Sequence, residues 1–145
     1  MMAALMLNLL LEKALNSKSG FQKGDIMEKK KILVVEDDQD TIDIYKEILD
    51  KEYDLLVAED TKKARELLEK HKPDLMILDI ILPEESGDAF LAQIKDSNKY
   101  KRLKVLAVTV LGDVTYELCK IDPDVVSISK PFDKAKLLKT IKDMM

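Results

Sequence analysis

A doubly wound α/β fold, with one parallel five-stranded sheet covered by helices on both faces, is predicted by three features of this chain. Short runs rich in Val, Ile and Leu recur five times from residue 31 onward, longer segments of helical periodicity separate them, and polar residues stand directly after the runs. Strands buried on both faces read as continuous apolar runs, and parallel neighbours need a crossover between them, usually a helix.

The strand runs are residues 32–35, 53–58, 75–78, 105–108 and 125–128. Between the first two, residues 41–49 place Ile44 and Ile48 with Tyr45 and Leu49 on one helical face. Thr61 is placed to cap a helix that turns Ala64, Leu67 and Leu68 inward. Residues 89–94 and 134–141 repeat the scheme, and Asp133 suits the N-cap of the last helix, with Leu137, Leu138 and Ile141 inward. Right-handed crossovers then give the doubly wound arrangement, although periodicity alone leaves the order of strands open.

A length of 145 residues fits one domain with a single core. With 46% hydrophobic and 36% charged residues and only 4 Gly and 4 Pro, the composition is that of a folded globular protein. The net charge of −4 and pI near 5.1 argue against nucleic-acid binding, which calls for a basic face. Residues 1–30 carry five Lys against three acids, so the net −6 of residues 31–145 locates the acidity in the sheet-forming part.

Cys119 is the single cysteine, without companions for a disulfide or a zinc site, and this points to a reducing, cytoplasmic setting. His71, the single histidine, closes a polar helical pattern and reads as a solvated helix residue without a chemical role.

Residues 1–15 are apolar but lack a basic start and a small-residue cleavage site, and Asn8 and Glu12 interrupt them. They make a poor signal peptide and are too short for an integral membrane segment. Residues 1–30 are therefore expected to be an N-terminal extension, a helix followed by a linker at 16–24, with Met27 as an alternative natural start. If the extension is native, contact with a second copy or a membrane surface is the expected role. The main domain is expected to span residues 31–145.

In doubly wound sheets ligands bind at the carboxyl ends of the strands. Four such ends carry reactive groups: Glu36, Asp37 and Asp38 after the first strand, Asp79 after the third, Thr109 after the fourth, and Lys130 with Pro131 after the fifth. Carboxylates gathered there would repel by roughly 4 kcal/mol for a pair about 4 Å apart at an effective dielectric near 20. A cation must sit among them. Oxygen-only ligands suit Mg²⁺, Lys130 adds an ammonium and Thr109 a hydroxyl. A carboxylate so surrounded is equipped to attack phosphorus and hold the resulting oxygens, forming an aspartyl phosphate on Asp79. The plainer alternative makes each acid a helix cap or loop charge, as expected for Asp38 and Asp133.

Together VVEDD, DLMILDIILPEESG, VLAVT and SKPF resemble, in order and across residues 31–145, the receiver domain of two-component response regulators. The resemblance implies a flavodoxin-like sheet ordered 2-1-3-4-5, with phosphorylation by a sensor histidine kinase, a phosphotransfer protein or small acyl phosphates. It implies Asp79 as phosphoacceptor, and Glu36, Asp37, Asp79 and the Ile81 carbonyl as Mg²⁺ ligands. Thr109 becomes the switch hydroxyl, and Lys130 the phosphate-binding lysine before a cis Pro131.

Departures from the family pattern are equally informative. Ser127 stands where an aromatic ring usually turns inward on activation, which weakens the usual coupled switch. Val110 follows Thr109 where a small residue is typical, narrowing access for bulky donors. Residues 120–124 replace the common Gly-Ala-Asp turn, so an atypical fourth helix is expected. Ile81 and Leu111, two residues after the acceptor and the switch threonine, cannot orient an attacking water, so autodephosphorylation is expected to be slow. The plainer reading gives these two side chains only core-covering work.

Because the chain stops at its last helical segment, the leading expectation is a stand-alone receiver that acts by binding a downstream protein. It would catalyse its own phosphorylation and slow dephosphorylation without turning over an outside substrate. The alternative is a non-switching scaffold or homodimerisation module. A phosphatase is the poorest fit, lacking a nearby general acid or cap segment.

Overall fold

The computed structural model describes residues 29–145, together with residues 4 and 6–9, which are helical. The expected linker and alternative start at Met27 lie outside the described residues. Five strands alternate with helices: β1 (Lys31–Val35), α1 (Gln39–Leu49), β2 (Asp54–Ala58), α2 (Thr61–His71), β3 (Leu75–Leu78), α3 (Gly87–Asp96), β4 (Lys104–Thr109), α4 (Thr115–Leu118), β5 (Val126–Ser129) and α5 (Lys134–Met144). A 3-10 turn, Asn98–Tyr100, links α3 to β4. The sheet is parallel throughout, in the order β2-β1-β3-β4-β5.

Alternation of side chains along each strand divides the core between two faces. Leu33, Val35, Met76, Leu78, Val105 and Ala107 pack with Ala64 and Leu68 of α2, Phe90, Leu91 and Ile94 of α3, and Leu118 of α4. Ile32, Val34, Leu75, Ile77, Leu106, Val108 and Ile128 meet Tyr45 and Leu49 of α1 and Leu137 and Ile141 of α5.

The register brings the chemistry to one edge. Val35 lies opposite Leu78, and Thr109 opposite Ser129, so Glu36, Asp79, Thr109 and Lys130 all emerge at the carboxyl edge.

Several local expectations are corrected. Ile44 is 45% exposed, because α1 turns Ile42 inward in its place, beside Tyr45 and Leu49, which are buried as expected. Thr61 is the first helical residue rather than the cap; the Asp60 carboxylate accepts from the Lys63 N–H at 2.7 Å. Asp133 does occupy the N-cap position, but its side chain makes no capping hydrogen bond. Leu138 is only partly buried, and β5 runs one residue later than expected.

The fourth helix is indeed unusual, a single turn of four residues. Val114 supplies no side-chain cap at its start, and Pro123, which has no N–H to donate, follows shortly after its end.

Opposite the carboxyl edge, Lys95 and Asp122 form an ion pair with side chains only 8% and 6% exposed and a separation of 3.6 Å. Lys95 also donates to the carbonyls of Tyr100 at 3.2 Å and of Leu103, tying α3 to the start of β4. Removing one partner of a buried pair leaves a charge uncompensated. Lys95→Met is therefore expected to destabilise the fold by about 3 kcal/mol, measured by urea denaturation. A loss under about 0.5 kcal/mol would place the pair among weak surface bridges.

Candidate functional site at the carboxyl edge of the sheet

The site is assembled by three loops and one strand end. After β1, the Glu36 N–H donates to the Ala58 carbonyl at 3.0 Å, which seats Glu36 in the sheet at 1% exposure. Asp37 next to it is exposed. Asp38 caps α1, accepting from the Thr41 N–H at 3.0 Å and the Thr41 hydroxyl at 2.6 Å, and these bonds hold its carboxyl below the usual range. The cap reading is thus correct for Asp38, while Glu36 and Asp79 make no such cap.

Asp79 follows β3 at 6% exposure, its N–H donating to the Val35 carbonyl at 3.1 Å. The Asp79 Oδ1 accepts from the Ile81 N–H at 3.1 Å, which leaves Oδ2 facing Lys130. Lys130 Nζ donates to Asp79 Oδ2 at 2.8 Å and to Glu36 Oε2, bridging both acids. Thr109, fully buried, presents an Oγ1 that accepts from the Leu111 N–H at 3.5 Å.

Electrostatics follow from burial. Desolvation pushes the Glu36 carboxyl up, and the bond from Lys130 only partly offsets it. For Lys130, burial favours the neutral amine, but hydrogen bonds to Asp79 and Glu36 outweigh it and raise its pKa, so the ammonium persists at neutral pH. The lysine is held in place through its neighbours. The Lys130–Pro131 bond is cis, as expected, and Phe132 stacks on Tyr45 of α1 with ring centroids 5.2 Å apart. No local pattern announces this ring pair, since its members lie far apart in the chain.

Glycine at position 87 was missed for the same reason. A Cβ there would stand 2.2 Å from the Asp79 carbonyl oxygen and 2.7 Å from the Ile80 Cα, so only glycine lets α3 begin this close to β3.

Around the site, Ile81, Val110 and Leu111 are 50%, 64% and 56% exposed. They do not cover the core; they form an apolar rim. Ser127 lies half-buried on β5, where its Oγ accepts from the Val114 N–H at 3.4 Å and joins β5 to the start of α4.

Oxygens of Glu36, Asp37 and Asp79 lie within 4.8 Å of one another, an oxygen-only donor set that fits a hard divalent cation. The edge can therefore balance charge in two ways, with the Lys130 ammonium and with a metal ion.

Comparison with known proteins matches residues 32–142 to the response regulator receiver domain. The polar-differentiation response regulator DivK of Brucella anthropi is 28% identical over 120 residues, covering 80% of this chain and 96% of DivK. Histidine kinase P4 of Formosa agariphila is 31% identical over 119 residues, 81% of this chain. The chain spans only 9% of the length of that kinase and 12% of sensor histidine kinase TmoS of Ectopseudomonas mendocina.

Among solved structures, chemotaxis response regulator CheY4 of Vibrio cholerae superposes with a TM-score of 0.74 at 24% identity, over 81% of this chain and all of CheY4, which speaks for the fold alone. A CheY-like receiver domain protein of Methanospirillum hungatei gives 0.70 at 25% identity over 80% and 93% of the two chains. Sheet order, strand-end chemistry and these matches agree: the chain belongs to the response regulator receiver domain family.

Proposed function

We propose that this chain accepts a phosphoryl group on Asp79 and signals through protein–protein contacts made by residues 31–145. The observation that carries the reading is the bridge from Lys130 to both Asp79 and Glu36, with Asp37 and Thr109 at the same edge. The donor would be the phosphohistidine of a sensor histidine kinase or phosphotransfer protein, or a small acyl phosphate. An Asp79 carboxylate oxygen bonds to phosphorus, and the bond to the donor's nitrogen or acyl oxygen breaks, its electron pair staying on that atom; a phosphohistidine protonated on its other ring nitrogen leaves as neutral histidine, and an acyl phosphate leaves as the carboxylate.

Glu36, Asp37, Asp79 and the Ile81 carbonyl would hold Mg²⁺, which supplies positive charge to the phosphoryl oxygens. Lys130 then pairs with a phosphoryl oxygen, and the Thr109 hydroxyl donates to another. Ile81 and Leu111 offer no group to orient an attacking water, which favours a long-lived aspartyl phosphate, while Val110 narrows the approach. The reaction is the protein's own modification, in the cytoplasm, with no outside substrate turned over.

A second reading has one observation in its favour. The half-buried Ser127 in place of an inward-turning ring, with its bond to Val114, suits a scaffold or homodimer that does not switch. Phosphorylation that leaves partner binding and oligomeric state unchanged would favour it.

Removal of a ligand tests the site directly. Asp37→Ala is expected to weaken Mg²⁺ binding at least tenfold in a calorimetric titration, since one of three carboxylates is lost. Unchanged affinity would take Asp37 out of the ligand set.

A further inference from the structure

The loop of residues 79–87 carries both Asp79 and Ile81 and is shaped from within and from outside. Inside it, Glu84 adopts a left-handed φ of +66, the Glu85 N–H donates to the Pro83 carbonyl at 2.8 Å, and the Gly87 N–H donates to the Ile80 carbonyl at 2.8 Å. Left-handed φ is unfavourable for a residue with a Cβ, so this turn needs support from its surroundings.

That support comes from α2. Arg65 Nη1 stands 2.9 Å from Glu85 Oε1, and Nη2 donates to Glu85 Oε2 at 3.0 Å, a two-point pairing. Nη2 also donates to Gln93 Oε1 of α3, and the guanidinium lies over the Phe90 ring, 4.9 Å from its centroid. Phe90 is fully buried, so one cation ties the loop to two helices and to the core. The planar fork and the ring stacking are properties of arginine that lysine does not reproduce.

We propose that Arg65 is a positioning residue for phosphoryl chemistry: by gripping Glu85 against α2 and α3, it fixes the loop so that the Asp79 carboxylate and the Ile81 carbonyl converge on Mg²⁺. This rests on the receiver reading of Asp79 and extends it to two residues outside the site. The Glu85 carboxyl is held below its usual range, chiefly by the Arg65 bonds and then by Thr61, and so stays ionised at neutral pH. Since Arg65 acts through the loop rather than by ligation, its loss is expected to cost less than removal of a residue bonded to a ligand, about three- to tenfold in Mg²⁺ affinity.

The test measures Mg²⁺ dissociation constants by amide chemical shifts in the full chain, with thermal midpoints alongside. Arg65→Gln and Glu85→Gln are each expected to weaken Mg²⁺ binding about fivefold and to slow labelling by acetyl phosphate, with no further loss in the double variant. The exchange Arg65→Glu with Glu85→Arg is expected to recover part of the affinity. Lys95→Met, destabilised at the opposite edge, serves as the control and is expected to keep the wild-type constant. Lowered midpoints with Mg²⁺ constants within twofold of wild type would make the grip merely structural and overturn the proposal. A wild-type chain that takes up neither Mg²⁺ nor phosphoryl would overturn the receiver reading itself, and the proposal with it.

Discussion

Asp79→Asn is expected to take up no phosphoryl group while folding as well as the wild type. Asparagine keeps an oxygen able to accept from the Ile81 N–H, so the local bond at 3.1 Å has a replacement. It removes the nucleophilic carboxylate, and with it one of the negative charges crowded at the edge. Lys130 can then pair with Glu36 alone, and Glu36, already raised by burial, loses the repulsion from Asp79. The thermal midpoint should therefore hold or rise slightly. Labelling at the wild-type level would move the acceptor elsewhere. A fall of more than about 10 °C, equivalent to roughly 2 kcal/mol in a domain of this size, would make Asp79 chiefly a structural partner of Lys130.

Gly87→Ala carries the other large expected effect. In an exposed helix this change usually stabilises, by about 1 kcal/mol, because alanine loses less conformational freedom. Here the sign reverses. The added methyl would meet the Asp79 carbonyl oxygen at 2.2 Å, and the obstructing atoms are backbone, which cannot rotate away. The helix or the β3 end must move, at a cost of about 3 kcal/mol. Gly112→Ala provides the comparison: its φ is +85, but nothing lies within 4 Å of the new Cβ, so only the conformational penalty of about 1 kcal/mol applies. Chemical denaturation of both variants checks the order. A Gly87 variant as stable as the wild type would mean that α3 can shift freely against the phosphoacceptor loop.

How much of this was legible in the sequence depended on the range of the interactions. Strands β1, β3 and β4 were readable because both their faces are buried, so residues 32–35, 75–78 and 105–108 are apolar throughout and each run is followed by a charged or polar group. At the sheet edge the signal thins: β5 has one buried residue in four, and its expected bounds slipped by one. In α1, three isoleucines shared the pattern, and only packing against the sheet decided that Ile42 rather than Ile44 faces inward. Asp60 and Thr61 are both competent caps, and where the helix begins chose between them.

The candidate site was legible because Glu36, Asp79 and Lys130 directly follow strands and Thr109 ends one, and the parallel register gathers strand ends without further information. What escaped notice was set by contacts between distant segments. Arg65 with Glu85, Lys95 with Asp122, Tyr45 with Phe132 and Gly87 under Asp79 leave no local periodic trace. Charged pairs of this kind look like ordinary solvated residues until the helices are packed. The rim of Ile81, Val110 and Leu111 shows the opposite case: three apolar residues stay exposed around the site, and the plainer, core-covering reading of Ile81 and Leu111 does not hold.

The most direct test is the intact mass of the full chain after incubation with acetyl phosphate or phosphoramidate, with and without Mg²⁺. The proposed chemistry predicts one phosphoryl addition, absent without Mg²⁺ and absent in Asp79→Asn. No addition from either donor in a sample that demonstrably binds Mg²⁺, or an addition that survives the Asp79 substitution, would contradict it.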